Sequence, residues 1–240
     1  MFDFLKRTPA AQVDKLTKKL TETAGEDGPR IEAAQKLAEL DTPEATLALL
    51  KRFTISSKVI SQDIEEKYMV VRMIVDKGRD AVDPILKFIK SHHQVEWPVR
   101  ALTQILPQEE WVPQLVQVLE DVAQNPFTSP EHRSGLIKAM HGHITPEIAS
   151  TLRRSLEDDD DDVAIAAMQA IAELGEDVRE PLLELFVRAD NRPRIRIAVA
   201  ELCADREWPV KGYRPSVEAA LPDEFHLTAK GFIRRRGSSA

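Results

Sequence analysis

Carboxylates, imidazoles, indoles and one thiol are the groups in this chain that could do chemistry, and their spacing decides whether they can act together. The densest set is Glu157 followed by Asp158–Asp162. Carboxylates in such number suit a hard cation. A calcium loop, however, needs a central glycine and a twelfth-position glutamate, and counting from Asp158 those places hold Val163 and Gln169. The run instead has the composition of a helix start, where carboxylates accept unpaired N–H groups and meet the positive end of the helix dipole. His92 and His93 are adjacent, and His141 and His143 are two apart, so neither pair shares a helical face. No second cluster with zinc spacing accompanies them. Trp97, Trp111 and Trp208 could floor a groove for a stacked base. Yet each lies next to or two positions from a proline (Pro98, Pro113, Pro209), which fits packing at turns between helices. Cys203 falls on a stripe with Ile197 and Ala200 and reads as a small buried hydrophobe. A lone cysteine allows neither an intrachain disulfide nor a thiolate metal cluster. Phosphate-binding, dinucleotide, nucleophile-elbow and HExxH motifs are all missing from the sequence. The expectation is a chain without catalytic residues, metal ligands or cofactor.

Those residues must be carried by helices. The chain has 240 residues, only nine glycines and ten Phe or Tyr, against 73 charged side chains. Ala, Leu, Glu, Lys and Arg dominate, which favours helix over sheet. A formal net charge of −7 argues against a dedicated nucleic-acid binder, because neutralising phosphates needs a basic surface. The charge is uneven, since eleven Lys/Arg face seven Asp/Glu from Arg188 onward. The start, MFDFLKR, lacks the apolar stretch of a signal peptide, and no run reaches the length of a membrane span. A cytoplasmic location is expected.

Prolines then supply a period. Pro43, Pro84, Pro113, Pro146, Pro181 and Pro215 each precede a short apolar segment, at separations of 41, 29, 33, 35 and 34 residues. Proline fits the first turn of a helix, where its missing N–H has no intrahelical partner. Before each proline lies another helix-periodic segment: Arg30–Leu40, Lys67–Val75, Val99–Leu106, His132–His141, Val163–Leu174 and Ile195–Cys203. In the fifth, Val163, Ala166, Ala167, Ala170, Ile171 and Leu174 form one apolar stripe. Gly25, Gly78 and Gly175 follow helical runs as C-caps. Six helix–turn–helix hairpins result, none able to bury its apolar face alone, so neighbours must stack. The longest step implies an insertion around Thr54–Gln62. Asn125–Pro130 reads as the clearest internal loop, and Val13, Leu16 and Leu20 mark an N-terminal capping helix.

The unit Asp160–Leu185 has an acidic start, Val163, paired Ala166-Ala167, Ala170 and Leu174-Gly175. In these features it resembles HEAT repeats of the kind named after phycobilisome lyases. Ile31–Leu50 and Arg194–Cys203 are weaker copies, and repeats two to four lack the paired alanines. The resemblance spans about residues 28–221 and implies a right-handed, armadillo-like α-solenoid of about six HEAT-like hairpins. Residues 1–27 would form the leading segment and capping helix, and 222–240 a basic tail. In HEAT-like proteins the second helices line the concave side. Polar positions there, Lys51, Lys87, Lys90, Gln117, Arg153, Arg154, Glu184 and Arg188, are the expected contacts for another protein or peptide. The implied function is a non-catalytic scaffold. An enzyme on the same scaffold, similar to alkylpurine DNA glycosylases or bilin lyases, is the alternative. The tail, with Lys230, Arg234, Arg235 and Arg236, offers at most a weak peripheral contact with an anionic membrane and otherwise reads as a frayed terminus.

Overall fold

A computed structural model describes residues 9–23, 27–175 and 178–237. Thirteen α-helices and one β-hairpin lie among them, and the chain divides into two compact units, 1–124 and 125–240. Unit 1 opens with α1 (Pro9–Leu20) and continues through three hairpins. These are α2 (Asp27–Ala38) with α3 (Pro43–Leu50), α4 (Ile60–Val75) with α5 (Val82–Ser91), and α6 (Glu96–Ile105) with α7 (Gln108–Gln124). Unit 2 repeats the plan with α8 (Pro130–Ala139) and α9 (Pro146–Leu152), α10 (Asp161–Ile171) and α11 (Arg179–Arg188), and α12 (Pro193–Asp205) and α13 (Arg214–Ala220). The β-hairpin of β1 (Phe225–Leu227) and β2 (Ile233–Arg235) closes it.

Stacking follows the repeat. In unit 1, first helices pack on first helices (α2 on α4, α4 on α6) and second on second (α3 on α5, α5 on α7). In unit 2, α10 packs on both α8 and α12, and α11 on α13. This like-on-like packing is the all-α solenoid arrangement that the period demands. The capping helix sits as expected, with Leu16 and Leu20 buried and α1 against α2 and α3. Helix α10 has the smallest side chains and the least exposure. Val163, Ala164, Ala167 and Met168 are fully buried, because alanines let α8 and α12 approach from both sides.

Helix starts carry a local signature. Thr42, Ser129 and Thr145 each cap the helix that follows by accepting a backbone N–H three residues on, and each is followed by Pro and Glu. Capping oxygen, a proline without N–H and a carboxylate near the dipole all favour the same end. Two prolines depart from expectation. Pro113 lies inside α7, which begins earlier at Gln108, so this second helix is longer than its siblings. Pro130, read as part of a loop, is the first residue of α8. Gly78 (φ +59) and Gly175 (φ +93, ψ −156) end their helices at backbone angles that other residues resist. Gly25 lies outside the described residues.

The largest difference is at the C-terminal end. Residues 225–235 are not frayed. Phe225 and Ile233 are buried, β2 packs on α12, and Val210 donates its N–H to the Gly231 carbonyl (2.8 Å).

Candidate functional site

The eight expected contact residues are all exposed, while most apolar positions of the same helices are buried. Lys87 and Lys90 lie on α5, Gln117 on α7, and Glu184 and Arg188 on α11. Lys51, Arg153 and Arg154 occupy 3₁₀ turns that extend α3 and α9. In unit 1, Asp121 gathers two of them, accepting from Lys90 Nζ (2.7 Å) and Gln117 Nε2 (2.9 Å). The Lys90 ammonium and the Gln117 amide hold the Asp121 carboxyl below its usual range. Lys87 lines a solvent-open cavity of about 520 Å³ at the starts of α3 and α5, with Thr42, Glu44, Arg79 and Asp83. In unit 2, Arg188 pairs with Glu157 (2.8 Å) and Glu184 accepts from the Tyr213 hydroxyl (3.2 Å). Arg153 and Arg154 make no ion pair among the described residues.

The acidic run is a packing device. Asp160 caps α10 by accepting from the N–H groups of Asp162 and Val163. Asp158 receives a bidentate pair from Arg133 of α8 (3.0 Å each), and Asp161 receives Arg192, the residue before α12 (2.8 Å). Asp162 takes Arg194, in the first turn of α12. Carboxylates at one hairpin's start therefore meet arginines of the hairpins before and after. The spacing recurs, because Arg79–Glu110, Lys90–Asp121, Glu157–Arg188 and Asp161–Arg192 are each 31 residues apart. A separation of one repeat brings equivalent positions side by side.

The remaining candidates have structural partners. His92 stacks flat on Phe88 at 4.0 Å, and His141 pairs with Glu173. Among the described residues, no three His, Cys, Asp or Glu side chains converge as a metal site. Trp111 and Trp208 are buried, which removes their faces from any groove. Cys203 is buried, and desolvation pushes its thiol up to about 12, too high for a nucleophile. The tail's arginines have partners within the chain. Arg234 pairs with Glu207 (2.7 Å), Arg235 with Glu201 and Asp205, and Arg236 donates to the Phe225 carbonyl (2.9 Å).

Sequence reasoning missed a buried charge network in unit 1. Arg52, with no exposure, donates to Glu66 (2.9 Å) and Asp63 (2.7 Å). Arg30 donates to the same Glu66 (2.8 Å), and Lys67 to Asp63 (2.6 Å). Arg52 also holds the Ile55 carbonyl and Asp63 the Ser57 N–H, so the network pins the inserted segment between α3 and α4. Burial pushes the Asp63 carboxyl up, but the hydrogen bonds from Lys67, Arg52 and Ser57 outweigh it and bring it down to about 2. The signal was present as a charged i, i+3, i+4 set, Asp63, Glu66 and Lys67, where an apolar stripe was due.

Residues 112–204 match the family model for HEAT repeats. No curated protein matches the chain.

Proposed function

We propose that this HEAT-repeat chain is a non-catalytic scaffold that binds another protein or peptide through the outward rows of its second helices. One observation carries the reading: all eight polar positions picked by periodicity stand in solvent on a frame of buried apolar stripes. Stacked hairpins present extended surfaces of this kind, which suit long partners better than small substrates. In unit 2 the row is basic at Arg153, Arg154 and Arg188, so an acidic segment is the matching partner there. The reading places the protein in the cytoplasm. No described helix is long and apolar enough to cross a membrane. Most of the tail's cationic groups are engaged within the chain, which leaves little for an anionic lipid surface.

The test is affinity purification of the native protein beside a variant carrying Arg153→Glu, Arg154→Glu and Arg188→Glu. Loss of a co-purifying protein from the variant is expected. An unchanged set of co-purifying proteins would overturn this surface.

A further inference from the structure

Four of the five large apolar side chains exposed among the described residues sit together at α4: Val59 (48%), Ile60 (76%), Ile64 (41%) and Tyr68 (40%). Ile60, Ile64 and Tyr68 recur every fourth residue, so they form one stripe two turns long, about 12 Å. The stripe runs into α6. Trp97 meets Tyr68 edge-on at 4.9 Å and stacks on Phe53 behind it, while Arg100 lies over both rings at 5.2 and 5.3 Å. Arg100 donates to the Tyr68 hydroxyl (3.1 Å) and has no carboxylate partner among the described residues. Arg72, one turn past Tyr68, has none either. Elsewhere the chain pairs its inter-hairpin guanidinium groups with acids, as at Arg79, Arg133, Arg192 and Arg194.

We infer that the α4–α6 face docks an acidic amphipathic helix of another protein. Its apolar stripe would lie along Ile60, Ile64 and Tyr68, and its carboxylates would meet Arg100 and Arg72. The occupant follows from complementarity. An apolar row of helical spacing accepts anchors of the same spacing. A guanidinium held against two aromatic rings, with donors to spare, selects a carboxylate. Aromatic and arginine side chains together are also the residue types that dominate binding energy at interfaces. The inference rests on the scaffold reading but puts the contact on first helices, away from the second-helix rows.

The experiment selects a phage-displayed library of helix-forming peptides on the full chain. Enriched peptides are expected to carry Leu, Phe or Met at helical spacing with Asp or Glu at one end. Their affinity should fall about tenfold or more in Ile64→Ser, Tyr68→Ala and Arg100→Gln, while each variant keeps a cooperative thermal melt. Peptides sensitive only to the Arg153→Glu, Arg154→Glu and Arg188→Glu changes would overturn the α4–α6 site and leave the scaffold reading standing. Enrichment of basic peptides would overturn the site as well. So would a concentration-dependent dimer that Tyr68→Ala dissolves, since a second copy would then be the occupant. A library that yields no binder at all would overturn the α4–α6 site and leave the scaffold reading standing.

Discussion

Glu66 is the residue on which the first unit's polar interior turns. It accepts from Arg30 and Arg52, both buried, so Glu66→Gln removes a charge that two guanidinium groups share, leaving Asp63 as the carboxylate on Arg52. Breaking a buried pair from one side costs about 3–5 kcal/mol, and chemical denaturation of the variant should show a loss of that size. Asp63 gives the network a pH dependence. Its folded carboxyl lies at about 2, below its unfolded value. A depressed carboxyl contributes stability that is complete above the unfolded pKa, near pH 4. That contribution fades as pH falls toward 2. The stability gap between wild type and Asp63→Asn should therefore be flat above pH 4 and shrink by about 2 kcal/mol below it. A gap that persists at pH 2 would contradict the pairing. Gly175 is a separate case. A Cβ would meet nothing within 4 Å, so the cost of Gly175→Ala is backbone strain alone, about 1–3 kcal/mol.

At the scale of elements, the proline period located six hairpins, and the described residues hold six. It worked because five of the six prolines fall in the first turn of a second helix, two of them behind a capping threonine, a local signal that tertiary packing does not override. It failed where packing replaced local chemistry. The N-terminal half of α4 went unread because its buried face holds Asp63 and Glu66 and its exposed face holds Ile60 and Ile64, the reverse of an amphipathic helix. The closing β-hairpin went unread for a related reason. Its two buried anchors, Phe225 and Ile233, are eight residues apart and become apolar contacts only against α12. Removing residues 222–240 should lower the thermal midpoint and shift Trp208 emission to the red, since Pro209 and Val210 bridge to the hairpin. Emission unchanged by the truncation would mean that the hairpin is ornamental. Within the acidic run, Asp158→Ala should cost about 1–2 kcal/mol, because it removes a charged bidentate bond. The solvent-exposed Arg194→Ala should leave the denaturation midpoint in place.

At the scale of the molecule, both proposed surfaces exist only because hairpins lie side by side at a spacing of one repeat. The second-helix rows are exposed because their opposite faces are packed on neighbours, and Trp97 reaches Tyr68 because α6 lies on α4. Spin labels at Glu157→Cys and Arg188→Cys test that stacking within unit 2. The native Cys203 is buried, with its thiol pushed up to about 12, and will not compete for label. The two side chains meet at 2.8 Å, so the paired labels should show strong dipolar broadening that each single label lacks. Broadening no greater than the sum of the single labels would show that the hairpins do not stack one repeat apart.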